Sequence, residues 1–286
     1  MVADDQDVKL GFGLGHDVEA IITGRAASES MGFGGAMTCS CVLLSGVGLA
    51  ATVWCMVEWP AAVIFDFDGV LVNSEPLHFQ AFREVLAEEH LELSEDEYYN
   101  QLIGFDDKGA FRHFYEMRHL PLPPKTFLSL MARKSRVMME LIHRRQFSAL
   151  PGVERFVRSL WRNRGLAICS GALREEIEAM LEGISLRDCF PVIVAAEDVT
   201  VGKPDPQGYL MSIKLLGEKM HRHLKPADCL IVEDAPTVIR SVKAVGFPTL
   251  AVATSYTIDR LTDADWAVKT LNPAEVVQAV PQLKLE

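Results

Sequence analysis

The sequence predicts an α/β protein in which a Rossmann-like parallel sheet forms the core and a helical cap is inserted after the first strand. Two observations predict this fold class. Beyond Pro151-Gly152, short apolar runs alternate with segments of helical period, a pattern typical of a parallel sheet covered on both faces. Between the first apolar run, at residues 61–65, and that alternating half, only helical patterns occur.

The first core strand is predicted at residues 61–65, because an unbroken apolar run is typical of a strand buried on both faces. The residues that follow have apolar side chains at helical spacing from His78 to Glu89. A proline-rich break at residues 121–124 then precedes a long helix that runs to Ile142. This stretch therefore contributes helices and no strands.

The second half of the chain alternates strand and helix. Strands are predicted at 166–170, 192–195, 229–233 and 248–252, and helices at 153–163, 173–183, 206–218 and 236–245. Each strand is short and apolar, so the four of them extend the sheet that the first strand begins. The resulting domain assignment is a core at 61–74 and 148–286, a helical cap at 75–147 and an N-terminal extension at 1–60.

The N-terminal extension differs in composition from the rest. It is rich in Gly, Ala and Ser, begins with acidic residues, and has no clear amphipathic period. The apolar stretch from Val42 to Val57 approaches the length of a membrane span, but Gly, Ser and Thr dilute it and its flanks lack Lys and Arg. We therefore expect no membrane association. We expect an extension that is disordered or foreign to the functional chain, with Met56 as a candidate start.

The overall charge restricts the class of partner. The net charge is −11, which argues against nucleic acid, because binding to a phosphate backbone requires clustered Lys and Arg. A small anionic substrate remains compatible with this charge, since one local positive pocket is sufficient. The six cysteines lack the spacing of a disulfide framework or a zinc site, and the start of the chain lacks a basic signal sequence. We therefore expect a reducing, cytoplasmic location.

Polar residues with catalytic potential stand where the predicted strands end. In open parallel sheets, ligands bind at the carboxyl ends of the strands. The residues found at that edge, or in the loop before the helix at 206, are Asp66, Asp68, Ser170, Gly171, Lys203, Glu233 and Asp234. Each signal has an ordinary alternative, such as a polar turn, a solvated loop or a helix cap. Their occurrence together favours a shared site.

These side chains can be assembled into phosphoryl-transfer chemistry. A carboxylate such as Asp66 can attack phosphorus, but two unit charges about 4 Å apart repel by roughly 4 kcal/mol at an effective dielectric of 20. A magnesium ion held by Asp66, Asp234 and Glu233 would offset that repulsion. Lys203 and Ser170 can stabilise the transferred group, and Asp68 can act as general acid and base.

The order of these residues resembles the haloacid dehalogenase superfamily of phosphohydrolases, from about residue 61 to 280. The segment Asp66-Phe-Asp-Gly-Val-Leu-Val-Asn-Ser-Glu-Pro-Leu-His78 resembles its first motif, and Ser170, Lys203 and Glu233-Asp234 match the second, third and fourth. The resemblance implies Asp66 as nucleophile and Asp68 as acid and base. It also implies magnesium bound by Asp66, the backbone carbonyl of Asp68, and Asp234, and a cap that closes over the site.

Within the superfamily, Ser74, His78 and Lys134 resemble residues of the β-phosphoglucomutase-like and phosphoglycolate-phosphatase-like branch. The mutases of that branch carry a lysine and an arginine around a cap glycine, to grip a second phosphate. Around Gly104 this chain has Ile103 before it and Phe105-Asp106-Asp107 after it, and the two acids would repel a second phosphate. Lys108 or Arg112 could take the place of the missing cations.

We therefore expect a magnesium-dependent phosphatase that hydrolyses a small phosphorylated metabolite, such as a sugar phosphate, through a phospho-aspartyl intermediate. Residues expected to contact the substrate are Ser74, His78, Gly171, Lys134 and Lys108. One alternative is a phosphosugar mutase of the β-phosphoglucomutase type. A second alternative, from another class, is a non-enzymatic or membrane-tethered binding protein whose working part is the N-terminal extension.

Overall fold

The computed structural model describes residues 59–103 and 105–285, together with the backbone of three strands in the N-terminal extension. The chain divides into two units, residues 1–59 and 60–286. In the first unit the strands β1 (Ala20–Ile22), β2 (Thr38–Leu43) and β3 (Ala51–Met56) form an antiparallel sheet in the order β1-β2-β3. Apart from these strands, the prediction of a disordered or foreign extension falls on residues outside the described ones.

The second unit is built on a six-stranded parallel sheet, which confirms the predicted fold class. Its strands are β4 (Ala62–Phe65), β5 (Gly165–Cys169), β6 (Val192–Val194), β7 (Cys229–Glu233), β8 (Thr249–Val252) and β9 (Trp266–Val268). Their order is β6-β5-β4-β7-β8-β9, and every neighbouring pair is parallel. The edge strand β9 was not predicted, because three residues with a partly exposed pattern give little periodic signal.

The strand β4 lies in the middle of this sheet. It pairs with β5 on one side and with β7 on the other, and all four of its residues are inaccessible to solvent. Phe65 packs edge-on against Phe156 and Phe190, at ring-centroid distances of 6.0 and 5.8 Å. Burial on both faces explains the unbroken apolar run. Because β5 lies on one side of β4 and β7 on the other, the residue after β4 lies at the point where the strand order reverses.

Helices occupy most of residues 75–147, which lie between β4 and β5. They are α1 (Glu75–Glu88), α2 (Glu95–Glu97), a π-helical turn at Tyr98–Leu102, α3 (Asp107–Met117) and α4 (Pro124–His143). The long helices α1 and α4 pack against each other, and Phe82 of α1 meets Phe111 of α3 at 4.7 Å between ring centroids. We call residues 75–147 the helical insert.

The remaining helices cover the sheet. They are α5 (Val153–Trp161), α6 (Arg174–Gly183), α7 (Gln207–Lys219), α8 (Pro236–Ala244) and α9 (Pro273–Ala279). Their amphipathic pattern is clear in α5, which buries Val153, Phe156, Val157 and Leu160 at helical spacing. The helix α7 packs on β5 and β6, and α6 also contacts α4 of the insert. Within the described part of the chain, no helix is long and apolar enough to cross a membrane.

Candidate active site

The predicted catalytic residues meet at the carboxyl edge of the three central strands. Asp66 follows β4, Ser170 follows β5, and Glu233 is the last residue of β7, with Asp234 directly after it. The strands are in register, so their ends lie side by side, and the Asp66 backbone N–H donates to the carbonyl of Val232 at 2.9 Å. The parallel sheet therefore brings together residues that are up to 168 positions apart in sequence, from 66 to 234.

A buried carboxylate cluster forms at this edge. Asp66, Glu233 and Asp234 each place one oxygen within 4.8 Å of the other two, and all three residues are buried. Lys203 inserts its Nζ between two of them, 2.7 Å from Asp66 Oδ1 and 2.8 Å from Glu233 Oε1. The Tyr209 ring lies 5.1 Å from the same ammonium. The cluster thus combines three carboxylates with one ammonium group.

Glu233 differs from the other two carboxylates in how its oxygens are used. Its Oε1 accepts hydrogen bonds from Lys203 and from the Tyr209 hydroxyl, the latter at 3.2 Å. Its Oε2 accepts the backbone N–H groups of Asp234 and Ala235, both at 2.6 Å. With both oxygens engaged, Glu233 orients the lysine and the turn after β7 and has little capacity left for a cation. Asp66 and Asp234 present the freer oxygens.

The cluster raises the pKa of two carboxyls. Burial raises the pKa of Asp66 to about 7; Lys203 opposes this shift, and the charges of Glu233 and Asp68 add to it. Burial also raises the pKa of Asp234 well above its ordinary value, with further contributions from Glu233 and Asp66. The ammonium of Lys203 experiences the opposite influence, because its two carboxylate partners outweigh burial and raise its pKa well above the usual range.

These residues fit a divalent cation. Hard cations such as Mg²⁺ prefer carboxylate oxygens, and a buried site with more carboxylates than cationic groups is electrostatically incomplete. Asp66 and Asp234 would hold the ion directly, and Glu233 lies behind them as the partner of Lys203.

Asp68 lies beside the cluster and is held by hydroxyl groups. The Ser74 hydroxyl donates to Asp68 Oδ1, and the Ser170 hydroxyl lies 3.4 Å from Oδ2. Ser170 itself accepts the backbone N–H of Ala172 at 3.0 Å, which fixes its oxygen. His78 Nε2 is 3.9 Å from Asp68 Oδ1. The Asp68 carboxyl is therefore oriented from both the core and the helical insert.

Gly69 allows the chain to turn between these aspartates and the rest of the site. Its φ is +76°, a left-handed conformation that favours glycine, and a Cβ there would lie 2.2 Å from Asp234 Oδ2. Its carbonyl accepts the Thr254 hydroxyl at 2.5 Å. Glycine is thus required here for both backbone conformation and space.

Two of the predicted substrate-contacting residues, His78 and Lys134, form a network inside the helical insert. Lys134 Nζ lies 2.8 Å from His78 Nδ1, and 2.7 and 2.8 Å from the two oxygens of Asp107. An ammonium can only donate, so His78 Nδ1 must accept, which places the imidazole proton on Nε2, facing Asp68. The insert thereby supplies a hydrogen-bond donor directed at the Asp68 carboxyl.

Two further residues that were predicted to contact the substrate, Gly171 and Lys108, are both exposed. Gly171 is exposed at the sheet edge, with no atom within 4 Å of the position that a Cβ would take. Lys108 is exposed on α3 and forms no ion pair with the described residues. Their roles in substrate binding stay predictions.

Sequence reasoning did not assign a role in or near this site to four residues. The Ser255 hydroxyl donates to Asp234 Oδ2, and its place just after β8 could have been found by extending the strand-end rule to that strand. Tyr209, in the first turn of α7, and Glu176, buried on α6, carry no local signal. Asp107 was expected to repel a second phosphate, but its pairing with Lys134 was not foreseen.

Comparisons with known proteins show the family of this chain. A family model described as haloacid dehalogenase-like hydrolase matches residues 63–252. Protein CbbY of Rhodobacter capsulatus is 32% identical over 231 residues, which cover 78% of this chain and 98% of that protein. The fructose-1-phosphate phosphatase YqaB of Escherichia coli (strain K12) is 29% identical over 200 residues, covering 69% of this chain and 98% of that one.

Solved structures share the fold. The crystal structure of CbbY from Rhodobacter sphaeroides in complex with phosphate has a TM-score of 0.68 and 21% identity, and the match covers 78% of this chain and 98% of that chain. The family model spans more than half of the 286 residues and includes Asp66, Lys203 and Asp234. The chain therefore belongs to the haloacid dehalogenase-like hydrolases, in their phosphatase branch.

Proposed function

We propose that this protein is a magnesium-dependent phosphatase that hydrolyses a small phosphorylated metabolite, of the sugar-phosphate type, through a phospho-Asp66 intermediate. The observation that carries the proposal is the convergence of Asp66, Asp234 and Lys203 in one buried cluster, with Asp68 beside it. The phosphatase names of several relatives, including the fructose-1-phosphate phosphatase, support the same class of substrate.

In the first step, Asp66 forms a bond from its carboxylate oxygen to phosphorus while the ester P–O bond breaks. Asp66 Oδ2 receives no hydrogen bond from the described residues, whereas Oδ1 is held by Lys203 and by the Phe67 N–H at 2.6 Å. This arrangement leaves one oxygen free to attack. A bound Mg²⁺ would supply positive charge that offsets the repulsion between this carboxylate and the phosphate.

Asp68 moves the protons. In its protonated form it donates to the leaving alcohol oxygen. As a carboxylate it then takes a proton from the water that attacks the phosphorus of phospho-Asp66, which breaks the bond between the Asp66 oxygen and phosphorus and releases inorganic phosphate. Ser74 and His78 hold its Oδ1 side, so that the same carboxyl serves both steps without reorienting. Lys203 and Ser170 place an ammonium and a hydroxyl where the phosphoryl oxygens gain charge.

The helical insert acts in this proposal as a cap that covers the site. Its contribution to the chemistry is His78, whose Nε2 lies 3.9 Å from Asp68 Oδ1. Closing the cap would exclude water while the ester bond breaks, and opening it would admit water and release the products. A cytoplasmic location stays a prediction from the sequence.

The proposal is tested by measuring inorganic phosphate release from a panel of phosphorylated metabolites, with Mg²⁺ or with a chelator. We expect release that requires Mg²⁺, favours one group of sugar phosphates, and is lost in Asp66→Asn. Analysis of the products distinguishes hydrolysis from the mutase alternative, which would yield an isomerised sugar phosphate instead of free phosphate. Release that survives Asp66→Asn would rule out the phospho-Asp66 intermediate.

A further inference from the structure

The ammonium of Lys134 is fully committed within the helical insert. Its side chain is completely buried, and its Nζ contacts both oxygens of Asp107 and the Nδ1 of His78 at 2.7–2.8 Å. An ammonium has three N–H donors, and three acceptor atoms occupy them here. Lys134 therefore has no donor left with which to bind an anionic group of a substrate.

In the ion pair of Lys134 and Asp107, the charge that is exposed to solvent is the negative charge of Asp107. Its side chain is 30% exposed, while that of Lys134 is 0% exposed, so the accessible member of the pair is the carboxylate. Burial alone would raise the pKa of Asp107, but Lys134 and His78 outweigh it and hold the pKa below its ordinary value. The carboxylate consequently stays ionised at neutral pH.

Asp107 lies on the same side of Asp68 as His78. The His78 ring stands between the two carboxylates, with Nε2 3.9 Å from Asp68 Oδ1 and Nδ1 3.8 Å from Asp107 Oδ1. This side of the site therefore presents two carboxylates, and the Lys134 ammonium beside them is already occupied.

This side of Asp68 is where the alcohol part of the substrate must lie, because Asp68 protonates the ester oxygen in the proposed mechanism. We propose that Asp107 is a specificity residue that selects phosphate monoesters whose alcohol part is uncharged and excludes those that carry a second phosphate. The inference rests on the proposed function and specifies its substrate class. A distal phosphate would meet an accessible carboxylate, and no free ammonium could compensate for that repulsion.

The test compares fructose 1-phosphate with fructose 1,6-bisphosphate, which present the same 1-phosphate ester and differ in the charge at the far end. For the wild-type protein we expect kcat/KM to favour the monophosphate by at least about tenfold. Asp107→Asn removes the repulsive charge and frees Lys134 donors, so the preference should fall to within about threefold, mainly through a lower KM for the bisphosphate.

The matched control is Asp106→Asn. Asp106 is exposed, caps the start of α3 by accepting the Gly109 N–H at 2.7 Å, and has no contact with Lys134; Asn caps a helix about as well as Asp. This variant removes the same charge one residue earlier and should keep the wild-type preference. Asp107→Glu, which retains the charge, should keep most of it as well.

The outcomes separate the two proposals. If the wild-type protein hydrolyses monophosphates but cleaves the bisphosphate equally well or better, the specificity inference is overturned and the proposed function stands. The same holds if Asp107→Asn and Asp106→Asn change the preference equally. Absence of phosphate release from every ester of the wider panel overturns the proposed function, and with it this inference. A wild-type protein that lacks the preference overturns the inference even if Asp107→Asn fails to fold.

Discussion

Replacing Asp234 with Asn changes the balance of charge in the carboxylate cluster without changing the shape of the side chain. The Asn Oδ1 can still accept the Ser255 hydroxyl, and the amide N–H can donate towards Asp66. In the metal-free protein the substitution should therefore relieve a repulsion and stabilise the fold. The same substitution should weaken the binding of Mg²⁺, because it removes one of the two carboxylates that present free oxygens.

The magnitude follows from the structure. The pKa of Asp66, raised from 3.8 to about 7, means that its ionised form costs about 4 kcal/mol in the metal-free fold. Two carboxylate charges within 4.8 Å repel by about 3 kcal/mol at an effective dielectric of 20. For a unit of this size, each kcal/mol changes Tm by about 2–4 °C, so Asp234→Asn should raise the metal-free Tm by at least about 5 °C at pH 8.

The pH dependence has a definite sign. In the unfolded chain these carboxyls lose their protons near pH 4, whereas the folded protein retains a proton on Asp66 up to about pH 7. The folded state therefore binds more protons over this range, and the stability of the metal-free protein should fall as pH rises through it. Asp234→Asn should flatten that decline.

The assay is thermal unfolding of the metal-free protein from pH 5 to 8.5, repeated with Mg²⁺. Asp188→Asn is the control, because Asp188 is exposed and precedes β6 at the opposite edge of the sheet. At 100 times its dissociation constant, Mg²⁺ should stabilise the wild type by about 2.7 kcal/mol, and Asp234→Asn should lose most of this gain. A metal-free Tm that falls in Asp234→Asn, or changes as it does in Asp188→Asn, would refute the electrostatic reasoning.

Three further substitutions test other parts of the site. Gly69→Ala should lower the free energy of unfolding by about 1–3 kcal/mol, because Gly69 has a positive φ and a Cβ there would lie 2.2 Å from a carboxylate oxygen. Gly171→Ala is the control, because its Cβ would meet no neighbouring atom, and equal denaturation midpoints for the two variants would contradict the prediction. Lys203→Met leaves buried carboxylates without their cation and should destabilise the protein by about 3–5 kcal/mol in denaturant titrations, so an unchanged midpoint would count against the ion pairs. Ser74→Ala removes a hydrogen bond to Asp68 and should lower kcat about tenfold with little change in KM; a change confined to KM would place Ser74 in substrate binding instead.

Much of this protein follows from sequence pattern and the rule that ligands bind where parallel strands end. The apolar runs located five of the six core strands to within a residue or two. Strands buried on both faces have no polar face, so their sequences are unbroken apolar runs that are easily recognised. The positions of Asp66 and Asp234 followed, since each comes directly after such a strand. The helices of the insert were also evident from the sequence, because their apolar residues repeat at helical spacing.

The tertiary structure decided which charges meet. Asp107 and Lys134 are 27 residues apart on different helices, and the direction of their side chains depends on how α3 packs against α4. Two of the four hydrogen bonds to Glu233, those from Lys203 and Tyr209, likewise depend on long-range packing that brings the start of α7 to the sheet. Sequence alone therefore determined the strand-end residues and their chemistry, because periodicity is local. The pairing of buried charges required the fold, because a distance of 2.7 Å between distant residues leaves no trace in local pattern.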